Sequence, residues 1–137
     1  SVSGTTFSYP GSIENGTWTV AIGDGSTDFT GITETGEYTK LGQQYWINGN
    51  IAWTGKNSLT TEPIVIDLPA TVGNADVSAS IGYTSNVTFS TQMVLVAENG
   101  DNKLEFWRLV SGSTPVALVA NDFGTAGDIS FSLSFFV

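Results

Sequence analysis

In the run Tyr45-Trp46-Ile47-Asn48-Gly49-Asn50-Ile51-Ala52-Trp53, the apolar residues Tyr45, Ile47, Ile51 and Trp53 fall on one parity. Trp46 falls on the other, together with Asn48 and Asn50. Successive side chains of an extended strand point to opposite faces, so this spacing puts one indole and two amides on a shared face. Such a set can stack on the apolar face of a sugar ring while the amides hydrogen-bond its hydroxyls. The commoner use of such a tryptophan is burial beneath another sheet or a neighbouring subunit, and the pattern alone allows both.

A second pair of candidates lies further along. Trp107 is opposite in parity to Leu104, Phe106 and Val110 and shares its face with Glu105 and Leu109. Arg108, the one arginine, falls among the apolar set. A buried guanidinium needs a carboxylate partner, so a structural ion pair is expected there, at a strand end or a subunit contact.

Catalytic chemistry has little to work with. The chain contains no histidine and no cysteine. That removes the commonest general base, Ser-His-Asp arrangements, disulfides and thiolate zinc sites. The 13 acidic residues mostly flank turns, as at Asp24, Asp28, Asp101, Asp122 and Asp128, where solvation of the turn explains them. Two carboxylates such as Glu98 and Glu105 could in principle serve a hydrolase, but neither stands in a setting expected to raise its pKa. Asp24-Gly25-Ser26-Thr27-Asp28 has the look of a calcium loop without the later bidentate glutamate, so no metal is expected. Asn15-Gly16-Thr17 and Asn86-Val87-Thr88 match the glycosylation sequon, which arises easily in a chain rich in Asn and Thr. Neither a catalytic residue nor a cofactor is expected.

The elements that must carry these residues repeat every two residues, not every 3.6. In residues 129–137, Ile129, Phe131, Leu133, Phe135 and Val137 alternate with Ser130, Ser132 and Ser134, and Phe136 alone breaks the pattern. Further inward sets are Trp18, Val20 and Ile22; Val77, Ala79, Ile81 and Tyr83; and Val87, Phe89, Met93 and Leu95. Ile64, Ile66 and Leu68 form a short strand stopped by Pro69. Residues 93–110 read as a hairpin turning at Asn99-Gly100-Asp101-Asn102. Eight to ten short strands punctuated by glycine-rich turns predict an all-β, antiparallel sandwich or barrel. The chain of 137 residues reads as one domain, 1–137, with residues 1–15 an N-terminal extension or an edge strand. A chain of this size buries roughly two-thirds of its extended surface on folding, enough for one core without staples.

Composition narrows the partners. Charged residues make up 12% of the chain, and the net charge is −9 with only three lysines and one arginine. A phosphate backbone or an anionic membrane surface needs cations that this chain lacks, so no nucleic acid is expected. No apolar run approaches the roughly 20 residues of a membrane span, and no membrane insertion is expected. An uncharged surface of Ser, Thr, Asn and Gly suits a virion or extracellular β-protein. The chain starts without methionine, consistent with a fragment or a processed product.

Several segments together resemble the carboxy-terminal domains of tailed-phage fibre, spike and virion appendage or decoration proteins. Gly16-Thr17-Trp18-Thr19 is similar to their G-T-W-T-P opening, with Val20 where the family usually has proline. Gly36-Glu37-Tyr38-Thr39-Lys40-Leu41-Gly42 resembles their G-x-Y-x-K-x-G element. Ile64-Val65-Ile66-Asp67-Leu68-Pro69 looks like their short apolar strand ending in Leu-Pro, and residues 129–135 resemble the aromatic-rich closing strand. The resemblance implies a tumour-necrosis-factor-like jelly-roll β-sandwich that assembles as a homotrimer. It also implies a non-catalytic structural or receptor-binding role on the virion, with a host-surface carbohydrate or another virion protein as partner. Bulky residues on both faces of residues 94–97 and at Phe135-Phe136 fit burial between protomers. The alternative is a monomeric carbohydrate-binding β-sandwich module of a secreted bacterial protein.

Overall fold

Ile129, Phe131, Leu133 and Phe135 all point into the interior, and the intervening serines face outward. They lie on the longest strand of a computed structural model that describes residues 13–88, 92–110 and 112–137. The strands are β1 (Ile13–Thr17), β2 (Ile22–Gly23), β3 (Thr33–Leu41), β4 (Gln44–Trp53) and β5 (Val65–Asp67). They continue with β6 (Val77–Val87), β7 (Gln92–Ala97), β8 (Lys103–Leu109), β9 (Val116–Ala117) and β10 (Phe123–Phe136). A single 3-10 turn at Ala120–Asp122 leads into β10, and no α-helix occurs among the described residues. This is the all-β, antiparallel architecture that the period-two pattern predicts.

The strands form one curled sheet in the order β1-β3-β4-β10-β6-β7-β8-β5-β2, with β9 attached to β8. β6 turns the corner. Its residues 80–87 pair with β10, whereas residues 77–79 pair with β7. One half of the curl is therefore β1, β3, β4, β10 and most of β6, and the other is β7, β8, β9, β5 and β2. The chain from 13 to 23 closes the opposite side. β1 pairs with β3, Trp18 N–H donates to Gly36 O at 3.0 Å, and β2 then pairs with β5. Both ends of residues 13–23 are thus fixed to different halves.

The core lies between the halves. Phe29, Trp53, Phe106 and Phe123 meet at its centre, with ring centroids 5.1–5.9 Å apart and tilted to edge-on planes. That is the arrangement that aromatic quadrupoles favour. Trp53 Nε1–H donates to Gly124 O at 2.9 Å, so the buried indole keeps its hydrogen bond. Lys56 reaches under the same region and donates to Ala120 O and Phe123 O at 3.0 and 2.8 Å.

Tyr83 departs from the expected inward set. Its neighbours Val77, Ala79 and Ile81 pack against the core, but Tyr83 is 60% exposed. The register with β10 slips by one residue between Ile81, opposite Phe131, and Tyr83, opposite Ser130. A one-residue bulge inverts the parity of the side chains that follow it up to the next irregularity, so Tyr83 joins the outward serines. Phe89 lies outside the described residues.

Candidate functional site

The outer face of the β3-β4-β10-β6 half carries the residues singled out at positions 46–50. Each has two cross-strand neighbours on the same face. Trp46 stands between Thr39 and Ser134, Asn48 between Glu37 and Ser132, and Asn50 between Thr35 and Ser130. One strand further, Ser80 lies opposite Ser132 and Tyr83 opposite Ser130. Adjacent strands are about 4.8 Å apart, so these side chains form a continuous lattice of hydroxyls and amides. Among the described residues, no other strand packs over it.

Trp46 is 45% exposed on this lattice. Among the described residues no other sheet covers it, so of the two commoner expectations, burial by another sheet or by a neighbouring subunit, the first is not met there. Below the face, Tyr45 stacks on Phe135 with centroids 5.4 Å apart and planes 9° apart, and Ile47 on the other side of the indole is buried in the core. The site therefore rests on a rigid element and not on a loop.

The face is dished. A hollow of about 410 Å³ is lined by Asn48, Asn50, Glu37, Ser80, Ser130 and Ser132. Its floor is Gly49, where the backbone rides directly on the Phe131 ring and a Cβ would come within 2.4 Å of Cζ. Two further hollows flank Trp46. One of about 400 Å³ lies toward Asn15, Thr17 and Thr39, and one of about 510 Å³ toward Ser78, Ser132 and Ser134. Among the described residues, the side chains of Asn48, Asn50, Ser130 and Ser132 make no hydrogen bond within the protein. Their donors and acceptors are turned to solvent in one plane beside an exposed ring, an arrangement suited to a polyhydroxylated ligand.

Trp107 and Arg108 belong elsewhere. Trp107 lies half-buried on the outer face of the β7-β8 half, opposite Val94 on β7 and Ala117 on β9. The two tryptophans sit on different halves of the curl and do not form one site. Arg108 lies opposite Met93 and Val116, as its parity requires, but the expected ion pair is absent among the described residues. Its Nε is buried without a hydrogen-bond partner there. Arg108 stands near the end of β8 and is only partly buried, so a carboxylate is not obligatory.

The acidic residues fill varied roles. Asp24 Oδ1 accepts from Thr27 N–H at 2.6 Å, Ser26 N–H at 2.9 Å and Ser26 Oγ at 3.2 Å. These bonds, that from Thr27 first, hold its carboxyl below the usual carboxylate range. The oxygen thus closes its own turn, and no cluster of three or more metal-ligating acids occurs among the described residues. Glu105 behaves differently from expectation. It lies on the outer face of β8 between Val65 and Val96, and burial among these neighbours, then the nearby Glu98 and Asp101, raises its carboxyl above the ordinary value. Sequence reasoning missed this because both neighbours come from other strands. None of the hollows above reaches Glu105.

Glu37, Thr35 and the serines of β6 and β10 complete the candidate site and were not singled out from sequence. The alternation of residues 129–137 put Ser130, Ser132 and Ser134 on one face, but only the strand order sets that face beside Asn48 and Asn50. The sequon asparagines have structural partners: Asn15 Oδ1 accepts from Thr39 Oγ1 at 2.7 Å, and Asn86 Nδ2 donates to Ala126 O at 2.8 Å. Compared with models of known families and with curated proteins, the chain matches none.

Proposed function

We propose that this chain is a non-catalytic recognition domain of a phage virion appendage, a tumour-necrosis-factor-like jelly roll that assembles as a homotrimer and binds a host-surface glycan. The observation that carries recognition is the exposure of Trp46 on a dished sheet face, beside Asn48 and Asn50, whose amides are unused within the protein. Stacking plus hydrogen bonds from a preformed, rigid face binds sugars without the ordering cost of a mobile loop.

The assembly part of the reading draws on the other half of the curl. Val94, Val96, Trp107 and Leu109 share the outer face of β7 and β8 and remain half-exposed, and Phe136 is 49% exposed at the end of β10. Burial of such surface between protomers favours association. The same Trp46 face also suits a monomeric carbohydrate-binding module of a secreted protein, and the mass in solution separates the two. Recognition is tested by titrating the domain with oligosaccharides and following tryptophan fluorescence. The expected result is a saturable change that the Trp46→Ala variant loses while remaining folded. An unchanged titration in the variant places the ligand elsewhere.

A further inference from the structure

Resting on the reading of the Trp46 face as a glycan site, we infer that its ligand is an uncharged chain, free of carboxylate, sulfate and phosphate groups. The inference comes from where the cations are. The chain has four, and each is committed away from the face. Lys40 lies over the Tyr45 ring, 5.4 Å from its centroid, on the opposite side of β3 from Thr39. Lys56 is held by the carbonyls of Ala120 and Phe123. Lys103 pairs with Asp67 in the other half of the curl. Arg108 lies on the inward parity of β8.

The charges that do face the dish are negative. Glu37 lines the main hollow beside Asn48, and Asp128 lines a fourth hollow beside Thr33, Thr35 and Asn50. Asp128 accepts a hydrogen bond from Ser85 Oγ at 2.8 Å, which fixes its position. An acidic sugar would enter a field with no compensating cation. A like-charge pair about 6 Å apart in water weakens binding by roughly threefold, so two carboxylates together discriminate by about tenfold at low salt. Rejection of the charged competitor is as much a part of specificity as contact with the neutral one. Two hollows flank Trp46 across the sheet and the main hollow adjoins both at Asn48, so the three are contiguous, which fits a ligand of several sugar units and not a single ring.

The test compares four soluble polysaccharides of matched length: a neutral glucan, a neutral mannan, polygalacturonate and a sulfated glucan. Each is titrated into the domain at low and high sodium chloride. The expected result is binding of at least one neutral chain with an affinity that salt changes by less than twofold. The acidic chains bind about tenfold more weakly at low salt, and Glu37→Gln narrows that gap. If an acidic chain binds as tightly as the neutral chains or more so, the inference is overturned while glycan recognition stands. If no polysaccharide binds at all, the glycan reading itself fails and the inference falls with it.

Discussion

Trp46 lies directly opposite Ser134 across β4 and β10, with Thr39 on its other side, so a large apolar ring stands between two small hydroxyl side chains. It contributes little to the core, and its removal is expected to leave the fold intact. Trp46→Ala should lower stability by less than about 1 kcal/mol, the scale of a surface cross-strand pair. Chemical denaturation of parent and variant measures this. A loss of several kcal/mol would show that the indole is a structural residue.

Gly49 makes the opposite prediction from a neighbouring position. A methyl group there would meet Phe131 Cζ at 2.4 Å and Cε1 at 2.7 Å. Phe131 is 4% exposed and cannot swing aside without disturbing the core. Gly49→Ala should therefore destabilise the domain by about 1–3 kcal/mol, read as a lowered midpoint in urea. An unchanged midpoint would mean that the β4-β10 interface is looser than its geometry.

Lys56 ties the loop after β4 to the start of β10. Its ammonium satisfies two backbone carbonyls that Lys56→Met would leave without that donor. The expected cost is about 1.5–3 kcal/mol, as for hydrogen bonds to a charged group. Thermal melting is the check, and Lys56→Arg should recover part of the loss.

Glu105 gives a pH signature of definite sign. Its folded pKa is raised, so between its unfolded and folded values the native state holds more protons than the unfolded chain. Stability from this group therefore falls as pH rises through that window. Glu105→Gln should match the parent below pH about 4 and become relatively more stable toward neutral pH. Asp24 works in the other direction, because its lowered pKa adds stability above its unfolded value that is lost in acid. The informative quantity is therefore the variant-minus-parent difference across pH. A difference that stays flat, or reverses sign, would contradict the burial of the Glu105 carboxyl.

Much of this was legible in the residues and some was not. The alternation of Ile129, Phe131, Leu133 and Phe135 with serines identifies the central strand and its inward face, because a half-buried strand has only that way to hide its apolar groups. The parity of Trp46 with Asn48 and Asn50 was equally plain. Whether anything covered that face was not, since coverage depends on strand order, and strand order is set by pairings between residues as far apart as 46 and 134. Tyr83 was misplaced for a related reason: a bulge has no mark in the sequence when the partner strand is unknown. The raised pKa of Glu105 likewise depends on Val65 and Val96, brought alongside from two other strands.

The most direct single measurement is the mass of the parent and of Trp46→Ala in solution by light scattering, run side by side. A trimer whose Trp46 face is left free for ligand predicts three times the 14.4 kDa chain mass for both proteins. A monomeric parent at micromolar concentration would contradict assembly. A trimeric parent whose Trp46→Ala variant dissociates would show that the indole is covered by a neighbouring subunit, and would contradict its place in a glycan site.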